Sequence, residues 1–273
     1  MKTFYLSLWA AVLLCISALS GAAQEPMLSI FKENYGTTGI PLNAKPDWDT
    51  NDASFQISVR FNAFRNIGRR DWDMFFAYSQ LSIWDAYRPS NPFKSNIYAP
   101  GVYLYHPFTR DAWGIKSDIL MGLEHRSNGL ASHDSRSINF AFVALTQRFG
   151  ACFTGQLVGR FGVGSIGNKV SLEMFNRYQG YVHVALCLHT PDRRFMATAT
   201  ADPLFNGAIP ANLGAELAFR LTRRADWFYL IARYHYGFDE YQLESATEGV
   251  FLKHMVRFGL AVQPSILSHK LFF

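Results

Sequence analysis

The sequence predicts an all-β fold, a transmembrane antiparallel β-barrel of about twelve strands. Three observations carry that prediction. Hydropathy alternates with period two in long runs separated by links that contain Gly, Asn, Asp and Pro, the pattern of half-buried strands rather than helices. The runs exceed the five or six residues usual in soluble sheets and match the roughly 9–11 that a tilted strand needs to cross a bilayer. Aromatic residues make up 16% of the chain, with 24 Phe, 13 Tyr and 6 Trp, as expected of a barrel with interfacial aromatic girdles. A soluble sandwich would bury the apolar faces instead. Here the opposite faces are rich in charged and hydrogen-bonding groups, which suits a polar interior and an outer face turned to lipid.

The chain opens with Met1 and Lys2, the apolar run "FYLSLWAAVLLCISAL" and the small residues "SGAAQ". This predicts a secretory signal peptide over residues 1–23, because a polar segment follows directly. Leu14 before Cys15 argues against lipid attachment there. Residues 24–273 then form one barrel domain. Removing Lys2 lowers the formal charge from +5 by one, and no basic cluster interleaved with aromatics points to nucleic acid. Past the signal, no stretch of about 18 apolar residues offers a membrane helix. Cys152 and Cys187 remain; two cysteines are not a disulfide framework, and pairing and free thiols stay equally open.

In order, the predicted strands lie near 27–33, 53–65, 72–85, 97–106, 113–127, 136–149, 152–162, 175–190, 193–202, 212–223, 226–238 and 251–263. "ASFQISVRFNAF" alternates Phe55, Ile57 and Val59 against Gln56, Ser58, Arg60 and Asn62. "DWFYLIARYHYGF" alternates more loosely, and Trp227 and Tyr234, with Trp113, are candidate girdle residues. "MVRFGLAV" sets Val256, Phe258, Leu260 and Val262 against Arg257, Gly259 and Ala261. Pro264 then interrupts, since proline is confined to strand ends and bulges, and closure is expected at 255–263 rather than on the terminal "SILSHKLFF".

The chemistry-bearing residues fall on the hairpin 113–149. In "WGIKSDILMGLEHRS" the even positions hold Lys116, Asp118, Glu124 and Arg126, which belong inside the barrel. The odd row, from Ile115 through Leu123 to His125 and Ser127, therefore faces lipid, because residues two apart share a face. Polar groups there are costly unless they act. A turn centred on Ser132 would pair His125 with Asn139 and bring their Cβ atoms within about 4.5–5.5 Å. A serine hydroxyl needs a base to take its proton, and the base needs a third group to hold its ring. Ser127, His125 and Asn139 fit those roles, and Gly129 at the tight "SNG" turn can offer an amide to an oxyanion. Read alone, the same residues are more readily an ordinary polar loop tip. The remaining histidines carry no ligand spacing, and His133 reads as a turn residue.

Beyond the hairpin, "EHRSNG" with Asn139 at its spacing resembles the active-site signature of the outer-membrane phospholipase A family. "YSQ" (Tyr78-Ser79-Gln80) resembles that family's Tyr-Thr-Gln motif, and "SNPFKSNIY" (90–98) its Ser-Ser-Pro-Phe segment. "KPDWDTNDASFQISVRFNAF" and "HYGFDEYQLE" are similar to stretches at matching places, and the terminal Phe273 resembles the ending of bacterial outer-membrane barrels. The resemblance implies a twelve-stranded outer-membrane barrel that hydrolyses phospholipid acyl esters (phospholipase A1, A2 and lysophospholipase), with calcium as cofactor and a homodimer as the active form. It implies Ser127 as nucleophile, His125 as base, Asn139 as orienting partner and Gly129 as oxyanion donor. It further implies calcium ligation by the Leu130 carbonyl, Ser135 and Ser90 of a second subunit, with Gln80 at the dimer contact. The family often has arginine where Leu130 stands, a change to which a carbonyl ligand is indifferent. The interval between "YSQ" and "SNPF" is shorter here by a couple of residues. Read alone, Gln80 is as readily an interior polar residue. Two rivals stand beside this reading. One is a lipid A deacylase, whose barrels are smaller and use a carboxylate as third member; the other is an inactive pore or structural barrel.

Overall fold

The computed structural model describes residues 27–108, 116–131, 135–164, 177–205, 207–222, 227–238 and 252–262. The signal region, Trp113, His133, Pro264 and the terminal segment lie outside them. The strands are β1 (Leu28–Ser29), β2 (Asn34–Pro41), β3 (Asp52–Ile67), β4 (Trp72–Trp84), β5 (Phe93–Phe108) and β6 (Lys116–Ser127), followed by β7 (Ser137–Phe149), β8 (Phe153–Gly164) and β9 (Val182–His189). β10 (Phe195–Pro203), β11 (Ala211–Arg220), β12 (Phe228–Phe238) and β13 (Leu252–Val262) complete the set. From β2 onward each strand pairs antiparallel with the next. β13 returns to β2 from Met255↔Pro41 to Val262↔Asn34, which closes a twelve-stranded barrel and leaves no open edge. Closure thus falls on the "MVRFGLAV" strand, as its alternation predicts.

The first barrel strand differs from expectation. It is β2, not 27–33, because "NYGTTGIP" has no apolar period of its own and is a strand by virtue of pairing with β3 on one side and β13 on the other. Before it, β1 pairs briefly with β3, and the chain then turns into the lumen, burying Phe31, Lys32 and Glu33. Ser58 Oγ accepts the Lys32 amide (3.1 Å), and Gln56 Nε2 donates to the Glu33 carbonyl (2.7 Å). These bonds satisfy backbone groups that no strand partner reaches.

The barrel is built inside out. Phe76, Leu104, Leu123, Leu157, Leu217 and Phe258 point outward on six different strands and are 37–55% exposed, an apolar belt that only lipid would cover. The lumen holds the charges. Lys32 pairs with Glu124 (2.9 Å), Arg126 with Glu124 (2.9 Å), Arg148 with Asp118 (3.0 Å) and Arg257 with Asp52 (2.8 Å), while Arg233 bridges Glu33 and Glu216. Between these pairs lies an aromatic cluster of Phe31, Phe75, Tyr103, Phe140 and Phe142. Phe31 and Tyr103 centroids stand 4.6 Å apart, and Tyr103 and Phe142 5.7 Å, contacts worth about 0.5–1.5 kcal/mol each beyond burial. Gly122 faces inward beneath two of these rings. A Cβ there would lie 2.6 Å from both Phe142 and Tyr103, so glycine is what lets the rings lie across the strand. The lumen is filled at this level by side chains under 4% exposed.

Strand connections run seven residues or more at one end (42–51, 85–92, 128–136, 165–181, 204–210 and 239–251) and seven or fewer at the other (68–71, 109–115, 150–152, 190–194 and 221–227). Barrels of this kind place long loops outside the cell and short turns in the periplasm, so the 128–136 connection belongs to the outer end. There Arg88 links two connections through Asp49 (3.1 Å) and Asp85 (3.3 Å). The Thr50 hydroxyl, with the amides of Asp49 and Thr50, holds the Asp47 carboxyl below its ordinary range. Cys152 is exposed, Cys187 is buried, and both are free thiols.

Candidate active site

Strands β6 and β7 pair with His125 opposite Asn139 and Ser127 opposite Ser137. That is the register of a turn centred on Ser132. His125 Nδ1 lies 2.8 Å from Asn139 Oδ1. An amide oxygen only accepts, so Nδ1 carries a proton, and in the neutral ring this leaves the Nε2 lone pair that a general base requires. His125, Ser127 and Asn139 are half-buried on the outer face, while Glu124, Arg126, Ile138 and Phe140 between them point into the lumen. Phe140 and Phe142 face inward because the lumen at this height is packed with rings.

Ser127 stands one step along the same face from His125. Among the described residues, the hydrogen bond of this group is the one between His125 and Asn139. Tyr98 lies directly opposite Ser127 on β5, and Gln80 lies opposite Tyr98 on β4. Gln80 faces outward, not into the lumen. Tyr78 Oη donates to Gln80 Oε1 (3.2 Å), Gln80 Nε2 to Ser82 Oγ (3.3 Å), and Ser82 Oγ to Asn96 Oδ1 (2.7 Å). A hydrogen-bonded polar row thus crosses the apolar belt from β4 to Asn96 on β5, beside Tyr98, which stands opposite Ser127. Polar groups that spend none of their bonding capacity on lipid are tolerated there when they satisfy one another.

Gly129 follows at φ +72°, in the left-handed region. A Cβ at this position would also meet the Tyr98 ring at 2.5 Å, so both the backbone and its neighbour demand glycine. Leu130 is exposed and Ser135 half-buried, on the two arms of the same connection. Ser90 stands apart, exposed on the β4–β5 connection with φ +70°. Among the described residues no three His, Cys, Asp or Glu side chains cluster to hold a metal. A cation here would take neutral oxygens, the Leu130 carbonyl and serine hydroxyls, and oxygen donors suit a hard ion such as calcium. The connection by itself offers fewer than the six to eight oxygens that calcium takes, so a bound ion would draw the rest of its shell from water or from other donors.

Behind the site strand, Glu124 receives three partners at once: Lys32 Nζ (2.9 Å), Arg126 Nε (2.9 Å) and Tyr103 Oη (2.6 Å). Arg126 also stacks over Phe140 at 4.8 Å. This inner network and Tyr98 were beyond sequence reasoning. The alternation tells which face Glu124 takes but not that Lys32, from the other side of the barrel closure, reaches it. Tyr98 sits in a quoted segment, yet its place opposite Ser127 depends on the β5–β6 register.

The family model described as Phospholipase A1 matches residues 30–228. The chain belongs to the phospholipase A1 family. Among curated proteins it is similar to a putative phospholipase A1 of Neisseria meningitidis serogroup B, 27% identical over 52% of this chain and 39% of the relative. It is also similar to the phospholipase A1 of Escherichia coli K12, 28% identical over 55% of this chain and 53% of the relative. The chain thus spans about half or less of the length of these curated family members. In fold it is similar to the outer membrane phospholipase A of Escherichia coli, with a TM-score of 0.72 at 20% identity over 86% of this chain and 94% of that one. A Salmonella typhi outer membrane phospholipase, solved as a dimer with bound calcium, gives a TM-score of 0.73 at 20% identity over 91% and 96%. At that identity the likeness speaks for the fold, a closed antiparallel barrel.

Proposed function

We propose that this chain is a calcium-dependent phospholipase that cleaves acyl esters of membrane phospholipids at a Ser127–His125–Asn139 site on the lipid-facing side of the barrel. The observation that carries the reading is the 2.8 Å contact of His125 with Asn139 on the face that also bears Ser127, where a lipid ester would lie. Ser127 Oγ attacks the ester carbonyl while His125 Nε2 takes its proton, and Asn139 holds the Nδ1–H so that the ring presents the correct edge. Charge developing on the carbonyl oxygen meets the Gly129 amide. His125 then returns the proton to the departing lysophospholipid oxygen. In the second half, His125 takes a proton from water, the resulting hydroxide attacks the acyl-serine, and fatty acid leaves as Ser127 regains its hydrogen. Bound calcium would supply Lewis-acid stabilisation of that developing charge, with the Leu130 carbonyl, the Ser135 hydroxyl and Ser90 of the partner subunit as its protein donors.

The Salmonella typhi structure with bound calcium, solved as a dimer, supports calcium as the cofactor and a homodimer as the active form; the donor set and the Gln80 row at the contact are assigned here by the resemblance of their motifs. A filled lumen argues against a passive pore, and twelve strands with a neutral third member argue against a lipid A deacylase. Residues 1–23 are proposed as the export signal. The test is fatty-acid release from detergent-dispersed phosphatidylethanolamine by the purified chain. Release is expected with calcium and is abolished by excess chelator. No release in calcium would sink the proposal, and release unchanged by chelator would remove the metal from it.

Asn139→Ala should retain weak activity. It removes one orienting hydrogen bond, worth about 0.5–1.5 kcal/mol, so kcat should fall by roughly tenfold rather than to background. Full activity in a single-turnover assay would strip Asn139 of its role.

A further inference from the structure

We infer that Asn128 is the positioning residue that makes the site responsive to calcium, an inference that rests on the function proposed above. Asn128 is the residue after the proposed nucleophile, yet its side chain turns away from lipid and is 6% exposed. Its Oδ1 accepts two backbone amides, that of Leu130 at 3.2 Å and that of Arg136 at 3.0 Å. Both partners are N–H donors, which decides which end of the carboxamide faces the turn. Its own amide donates to the Arg136 carbonyl at 3.1 Å, so three hydrogen bonds converge on one residue at the mouth of the connection.

The positions of those bonds matter more than their number. The amide of Leu130 belongs to the peptide between Gly129 and Leu130. The Gly129 N–H proposed for the oxyanion lies in the preceding peptide, so pinning this plane restricts it across the Gly129 Cα. The Leu130 carbonyl proposed for the cation lies in the following peptide and is restricted in the same way across the Leu130 Cα. The amide of Arg136 belongs to the peptide that begins at Ser135, the second proposed donor on this chain. Ser135's own carbonyl is taken by Arg136 Nη1 at 2.9 Å, which leaves the hydroxyl as the group Ser135 has to offer. One buried carboxamide oxygen therefore fixes the backbone beside each of the two oxygen donors that lie on opposite arms of the connection. It also fixes the backbone beside the oxyanion amide. A cation at this place would meet donors already held in position, which lowers the ordering cost of binding.

The prediction separates a positioning role from a merely structural one. Asn128→Ala should raise the calcium concentration at half-maximal fatty-acid release by about tenfold, the effect of losing roughly one hydrogen bond's worth of preorganisation. Terbium luminescence, with the ion titrated against the purified chain in detergent, should show the same weakening without substrate present. Asn128→Asp keeps an oxygen that accepts both amides and should bring both titrations back toward wild type. Heat-modifiable gel mobility reports that each barrel is folded. If Asn128→Ala does not fold, Asn128→Ser, whose hydroxyl can accept one of the two amides, should show an intermediate shift. Unchanged midpoints in the folded variant, or a shift that Asn128→Asp does not reverse, would overturn the inference while leaving the wild-type activity and the proposed function intact. A wild type inactive in calcium would instead defeat the proposed function and this inference with it.

Discussion

Ser127→Ala is expected to abolish calcium-dependent release of fatty acid while leaving the barrel folded. The hydroxyl is the atom that would bond the acyl carbon. His125 and Asn139 would remain as a base with nothing to activate, apart from water. In serine hydrolases, loss of the nucleophile costs on the order of 10⁴–10⁶ in kcat, with the residue of catalysis coming from the oxyanion donors and binding. The substitution removes a single oxygen from a half-buried outward position, so the heat-modifiable gel shift should be that of wild type. Fatty-acid release is the deciding measurement. A Ser127→Ala chain that hydrolyses phosphatidylethanolamine at the wild-type rate would move the nucleophile elsewhere. A liposome leak assay with the same variant separates the enzyme from the pore, because a filled lumen should leak neither before nor after the change.

The second large effect is on stability. Glu124→Gln is expected to destabilise the barrel by about 3–5 kcal/mol, the usual cost of removing one partner from a buried charge pair. Glu124 is 2% exposed and is the anion shared by Lys32 and Arg126, themselves 3% exposed. Glutamine keeps the shape but not the charge, so two cations would face one another in the lumen with their common carboxylate gone. Lys32→Met should cost less, because Glu124 keeps Arg126 and the Tyr103 hydroxyl. The midpoint of thermal unfolding in detergent orders the three proteins: wild type highest, Lys32→Met next and Glu124→Gln lowest. Equal midpoints for Glu124→Gln and wild type would mean that the lumen is wet enough to solvate the pair. Because Glu124 and Arg126 flank His125 on the opposite face of β6, the same variant should also lose activity at temperatures where the barrel still holds together.

Much of the site was legible because strand geometry is local. Alternation along 116–127 decides that His125 and Ser127 share a face, and that Glu124 and Arg126 take the other. An antiparallel turn at Ser132 then brings Asn139 opposite His125 with no information from the rest of the chain. The same local rule finds eleven of the twelve barrel strands within a few residues of their ends, apart from β9, where the expected start at 175 precedes the observed one at Val182. It misses β2, whose "GTTG" carries no period and which becomes a strand only when β3 and β13 flank it. It also takes all of 27–33 as a strand, although only Leu28–Ser29 pairs with β3 and the chain then leaves the wall to enter the lumen.

What the sequence by itself determined is the alternation, the inside-out sense of the faces and the hairpin register, each of which depends on residues close together in the chain. What only the tertiary structure decided is which distant residues meet. Lys32 reaches Glu124 across 92 positions of sequence, Tyr98 comes to stand opposite Ser127, and the Asn128 carboxamide turns inward to hold both arms of its connection. Those contacts follow from barrel closure, strand stagger and the space left among lumen side chains. Period-two alternation says which side a residue takes, but not what waits there.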